Sequence, residues 1–160
     1  MKTLLTHPWL NLLTRTVVGS IFIFSSVEKT ADPGAFAVLL DNYRLLPYDF
    51  SLAVATVLPW VELVCGVAVL AGIAHRGASL ILGVLTIGFT VAVVSGLLRG
   101  LDISCGCYTL DPEVGKIGWS KVVENTGLIL LFVFLVYSTG TRWTFDRMLD
   151  RSTVPEEHIS

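Results

Sequence analysis

Apolar residues come in four long runs separated by short polar stretches, and this pattern predicts four helices. The runs span about residues 10–27, 51–73, 77–98 and 122–137. Arg15 interrupts the first run, the second contains Pro59 and Glu62, and the third carries no charge. Glu124 and Asn125 stand near the start of the fourth. With a helical rise of about 1.5 Å per residue, each run covers most or all of a hydrocarbon layer about 30 Å thick. None alternates apolar and polar residues as an outer-membrane strand does, so a helical bundle is expected rather than a barrel. Gly66, Ala68, Gly72, Gly83, Gly88 and Gly96 are small enough to let such helices approach closely.

Composition supports the same class. Of 160 residues, 53% are apolar and 15% charged, and the mean hydropathy is +0.72. Soluble domains carry about 25% charged residues, and four spans of about 20 residues each leave little chain for a soluble core. Eleven Lys+Arg against thirteen Asp+Glu form no basic face, which argues against nucleic-acid binding. The expectation is an all-α membrane protein: a four-helix transmembrane domain over residues 1–138, with a short polar tail at 139–160.

Lys2 followed by an apolar stretch imitates a signal peptide. Arg15 breaks that stretch, and the run leads into Ser25-Ser26-Val27-Glu28-Lys29 without an A-x-A-like cleavage site, so a retained first span is expected. An even number of spans puts both termini on one side. Lys2, Arg15, Arg76, Arg142, Arg147 and Arg151 fall there, against Lys29, Arg44, Arg99, Lys116 and Lys121 opposite. That small excess, and the three arginines just after the last span, favour cytoplasmic termini. Loops 28–50 and 99–117 then face outward.

The sharpest chemical feature is Cys105-Gly106-Cys107, after the third run. Two cysteines one residue apart bridge only if the chain folds back, which the intervening glycine permits. A bridge that tight and exposed favours exchange over a static role. Arg99 is near enough in sequence to favour a thiolate, and Asp102 opposes it. Three readings stay open: a redox pair, a structural bridge, and part of a soft-metal site. No histidine lies near to complete a zinc site, and no metal is expected. Cys65, inside the second run, reads as a packing residue.

Glu62 is the second candidate. At mid-span a carboxyl must be neutral, paired, or facing a polar cavity. It is read either as a proton-transfer acid or as an interhelical ion-pair partner, with Arg15, Lys29 or Lys121 opposite. Glu28-Lys29 reads as interfacial anchoring in preference to a paired set of site residues. The segment from Phe36 to Tyr48 reads as a short interfacial helix ended by Pro47, with Tyr43 and Tyr48 at headgroup level. A quinone headgroup site can be assembled from Tyr43, Arg44 and Arg99. Lys121 and Glu124 are spaced to pair on one helix face. No nucleotide loop, catalytic triad or paired-histidine haem arrangement is present.

In order along the chain stand Glu28-Lys29, Tyr43-Arg44-Leu45-Leu46-Pro47, Leu58-Pro59-Trp60-Val61-Glu62, and Arg99-Gly100-Leu101-Asp102-Ile103-Ser104-Cys105-Gly106-Cys107. This series resembles the MauE family of methylamine-utilisation membrane proteins, within the broader DoxX-like group, over about residues 10–138. The resemblance implies a four-helix protein of the bacterial inner membrane engaged in thiol redox work, with a periplasmic thioredoxin-like partner. It implies Cys105 and Cys107 as the redox pair and Glu62 as a site residue. A membrane quinone is the implied electron acceptor, and a role within a larger membrane complex is a further expectation. Two positions depart from the family pattern: Tyr108 where phenylalanine is common, and Glu124 where arginine is frequent.

Overall fold

The computed structural model describes residues 8–45, 47–101, 103 and 118–138. Five helices appear among them: α1 (Pro8–Ala31), α2 (Pro33–Asn42), α3 (Tyr48–Ala71), α4 (His75–Leu98) and α5 (Trp119–Tyr137). All but α2 are long and apolar enough to cross a membrane, and no strand occurs among the described residues. The protein is an all-α, multi-pass membrane protein. Cys105, Cys107, Tyr108 and the tail at 139–160 lie outside the described residues.

Each spanning helix is longer than its apolar run at one end or both, except that α3 stops two residues short. At 24 residues, α1 is about 36 Å long. It passes through Arg15 and Lys29 because both side chains are buried in the bundle, and so do not mark the helix end. The end of α3 is fixed by its backbone. Gly72 adopts φ 78°, and its N–H bonds back to the Ala68 and Val69 carbonyls. Between α1 and α2, Asp32 closes the turn: its Oδ1 accepts the Ala35 N–H at 2.9 Å, with Pro33 in the first helical turn.

Contacts run in opposite order along neighbouring helices, so the bundle is antiparallel. Arg15, Gly19 and Lys29 of α1 meet Val69, Gly66 and Glu62 of α3 in turn. Gly83 of α4 faces Phe132 of α5, and Arg76 reaches the Ser138 carbonyl just beyond α5 at 3.2 Å. At the α1–α3 crossing the backbones nearly touch, since a Cβ on Gly19 would lie 3.0 Å from the Gly66 carbonyl oxygen. Gly66 and Gly83 therefore serve as expected, whereas Gly88 faces open space. The main core joins Val18 and Phe22 of α1, Val69 of α3, Leu82 of α4, and Phe132 and Leu135 of α5. The Phe22 and Phe132 rings meet edge-on, 5.5 Å between centroids. Elsewhere α1 and α5 part, leaving a groove of about 620 Å³ lined by Ser20, Phe24, Gly127 and Leu131 among others.

At the end of the bundle that holds the α3–α4 turn, Arg15 is buried. Its Nε donates to the Val69 carbonyl at 2.9 Å and its Nη2 to the Leu70 carbonyl at 3.0 Å. A guanidinium there adds donors to carbonyls of the last turn, where the regular helical donors run out, and sits at the negative end of the α3 dipole. Asn11 Nδ2 donates to Ser138 Oγ, tying the start of α1 to the end of α5.

A Cβ on Gly72 would collide with the Arg15 guanidinium and force a side chain into left-handed backbone. Gly72→Ala is expected to lose about 2 kcal/mol or more, from backbone strain and displacement of the Arg15 cap. Gly88→Ala, which meets nothing, should hold or raise stability. Unfolding of both variants by SDS titration in mixed micelles measures the contrast.

Candidate functional site

On α1, Val18, Phe22, Ser25 and Lys29 repeat every three or four residues, and all are buried. Lys29 thus continues the stripe that α1 turns toward the bundle. Helical side chains lean toward the helix N-terminus, so Lys29 aims its ammonium back into the bundle although α1 ends two residues later. There Lys29 Nζ meets Glu62 Oε2 at 2.9 Å. Each residue is only 1% exposed. The ammonium also lies 5.2 Å from the centre of the Phe36 ring and 5.3 Å from that of Phe89. One cation is therefore held by α3, α2 and α4, through a carboxylate and two aromatic faces.

Helix α2 covers this site. Phe36 and Ala37, both fully buried, pack on Ala55 of α3, with Leu58 and Phe89 alongside. Pro59 lies three residues before Glu62, yet α3 continues through it. An isolated charge at this depth costs several kcal/mol. Opposite charges in contact recover much of that, and removing one partner leaves the other uncompensated.

Of the three cations proposed opposite Glu62, Lys29 is the partner. Arg15 caps α3 at the other end, and Lys121 pairs with Glu124 at 2.9 Å, as its spacing predicts. The interfacial-anchor reading of Lys29 is thereby corrected, because the ammonium faces the bundle interior. Its membership of the apolar stripe was the sequence signal that marks it as inward. Phe36 and Phe89 carried no such signal. Cys65, on the same face as Glu62, is buried in the main core, in keeping with a packing role.

The short helix ends at Asn42, ahead of the expected stop at Pro47. The Tyr43 N–H closes onto the Leu40 carbonyl and the Arg44 N–H onto that of Asp41. Arg44 then takes φ 50°. Tyr48 is exposed, but Tyr43 is 2% exposed and packs on Val93 of α4 with Leu97, Ile103 and Val122 beside it. The Tyr43 side chain therefore turns into the bundle, and burial pushes its phenol above the ordinary value. Arg99 Nη1 donates to the Tyr43 backbone carbonyl at 2.8 Å. Of the proposed quinone residues, Tyr43 and Arg99 are thus brought together, and Arg44 follows directly with its side chain exposed. Among the described residues no group of three His, Cys, Asp or Glu side chains is placed to hold a metal.

Replacing Lys29 by Met, or Glu62 by Leu, should each cost about 3–5 kcal/mol, because the remaining charge is left buried. The double variant should lose less than either single one. A double-mutant cycle in SDS-titrated micelles reads this directly, and additive losses would mean that the two groups do not depend on each other.

Comparison with known proteins adds to this geometry. The family described as methylamine utilisation protein MauE matches residues 7–138. The chain is similar to the methylamine utilization protein MauE of Paracoccus versutus, with 32% identity over 80% of this chain and 69% of that protein. It is similar to that of Paracoccus denitrificans at 28% over 88% and 74% respectively. The corresponding figures for Methylophilus methylotrophus are 26%, 80% and 68%. No solved structure matches. With the match running from the first turn of α1 through the last of α5, the chain belongs to the MauE family of methylamine utilisation proteins.

Proposed function

We propose that this protein is a thiol–disulfide redox protein of the bacterial inner membrane, with Cys105 and Cys107 as its exchanging pair on the periplasmic side. The observation that carries this reading is the Cys105-Gly106-Cys107 sequence itself, beginning two residues after Ile103. Ile103 packs against the cluster of Tyr43 and Val93 at the α2 end of the bundle. The motif therefore follows directly on an anchored residue.

In the exchange, a thiolate of a soluble thioredoxin-like partner attacks one sulfur of the Cys105–Cys107 disulfide. That bond breaks and a mixed disulfide forms. The partner's second thiolate then displaces the remaining cysteine. The partner leaves with a new disulfide, and Cys105 and Cys107 leave as a dithiol that carries two electrons and two protons. A membrane quinone, when bound, supplies a two-electron, two-proton acceptor that returns the pair to the disulfide. The donor set fits its carbonyl oxygens, since Arg44 and Arg99, both exposed residues, stand beside the buried Tyr43 and carry guanidinium donors. Glu62 is the acid assigned to the accompanying protons. Exchange of one proton with Lys29 across their contact passes the pair between ionic and neutral forms without adding net charge to the span.

Alkylation trapping in native membranes tests this reading, with Cys65 replaced by serine and the mass shift of Cys105 and Cys107 measured. The pair is expected to be oxidised when quinone is present and to accumulate as dithiol when quinone is depleted. A disulfide that never changes would mark a static bridge and refute the proposal. Thiols reduced in both states, and protected only by added soft metal, would point to metal handling instead.

A further inference from the structure

Tryptophan is favoured at membrane–water boundaries, where its ring stays apolar and its N–H reaches water or a headgroup. Two of the described tryptophans obey this rule: Trp9 lies in the first turn of α1 and Trp119 opens α5. Trp60 does not. It is the thirteenth of 24 residues in α3, at the middle of the span, and is 55% exposed. Its indole N–H has no hydrogen-bond partner among the described residues. Hydrocarbon provides no acceptor at that depth, so the N–H calls for a polar atom beyond the described residues.

The face around Trp60 has the character of a helix-packing seam. Ala53, Val57, Trp60, Val64 and Val67 are all exposed, and their spacing alternates between four and three residues. This is the heptad spacing along which helices pack left-handed, and β-branched residues suit it. A depression of about 450 Å³ runs beside the ring, with Val61 and Cys65 in its lining. An acceptor lies on the same face one turn away. The Thr56 hydroxyl donates to the Leu52 carbonyl at 2.8 Å, and its oxygen keeps lone pairs free to accept. Trp60 leans toward the N-terminus of α3, hence toward the level of Thr56.

We propose that this face of α3 is a homodimer interface, in which Trp60 Nε1–H of each copy donates to Thr56 Oγ1 of the other. Two copies inserted in the same orientation bring their α3 helices together in parallel, about a two-fold axis along the membrane normal. Donor and acceptor then occur on one self-complementary face, as an isologous contact requires. A second copy meets both demands of this surface: it has a matching heptad face, and it places a hydroxyl oxygen at mid-membrane depth. Phospholipids carry their carbonyl groups at the headgroup boundary, so they do not meet the second.

The test uses the full chain in native membranes, with Cys65, Cys105 and Cys107 replaced by serine. Single cysteines are introduced at Val57→Cys or Val64→Cys on the seam, and at Leu130→Cys on the exposed face of α5. Oxidation should join the two seam variants into a species of twice the chain mass and leave the α5 variant monomeric. In vesicle energy-transfer titrations, Trp60→Phe should weaken the dimer about sevenfold, the loss of two symmetry-related bonds of ordinary membrane strength. Thr56→Val should do the same, and Thr56→Ser should restore association. Equal cross-linking at all three positions, or none on the seam, would overturn the proposal. So would a photo-cross-linked adduct at Val64 with a protein of another mass, or a dimer indifferent to Trp60→Phe.

Discussion

Glu62 and Lys29 lie in a medium that solvates neither, and the end of the bundle around α2 is built on their contact. The carboxylate fixes where the ammonium sits, and the ammonium in turn collects Phe36 and Phe89 around it. Four helices converge on this ion pair. Hydrophobic burial alone would not specify this register, because lipid is as apolar as the helix faces. A cation that must meet one particular carboxylate permits few alternatives. The position of α2 follows from the same demand, since its Phe36 closes the site from the remaining side.

The other end uses a cation differently. Arg15 spreads two donors over the Val69 and Leu70 carbonyls, in the last turn of α3. Between the two cations the α1 and α3 backbones approach closely, so that a Cβ on Gly19 would lie 3.0 Å from the Gly66 carbonyl oxygen. The α1–α3 pair is therefore specified at three levels: a capped helix end, a glycine crossing and a salt bridge. The α4–α5 pair relies on ring and aliphatic packing, with a polar tie at Ser138. That contrast is in keeping with the proposal that α3 also carries the redox acid and an outward-facing seam.

Much of this architecture was legible in the sequence, and where it was not the reason is physical. The four spans follow from apolar runs of membrane length. Their limits shift because Arg15, Glu28 and Lys29 look like terminators by polarity, whereas a helix ends where its backbone is diverted, as at Gly72. Glu62 stood out because an acid at mid-span demands an explanation. Its partner was one of three candidates until geometry chose among them, since sequence spacing says nothing about which helices are neighbours. The anchoring reading of Lys29 fails although a cation near a span end normally faces the headgroups, and only its place on the Val18, Phe22, Ser25 stripe says otherwise. The cysteine pair is the reverse case: its chemistry is argued from spacing, and Cys105 and Cys107 lie outside the described residues.

The two cations of α1 also bear on how the chain enters the membrane. During synthesis α1 emerges before α3, and it then carries Arg15 and Lys29 with neither the α3 carbonyls nor Glu62 yet available. An arginine or lysine deep in a span opposes insertion by up to about 3 kcal/mol on the translocation scale. Helix α1 is thus a weak membrane segment alone and becomes a stable one once α3 is beside it. Insertion of the first span is coupled to arrival of the second, which makes α1, α2 and α3 the natural unit of biogenesis.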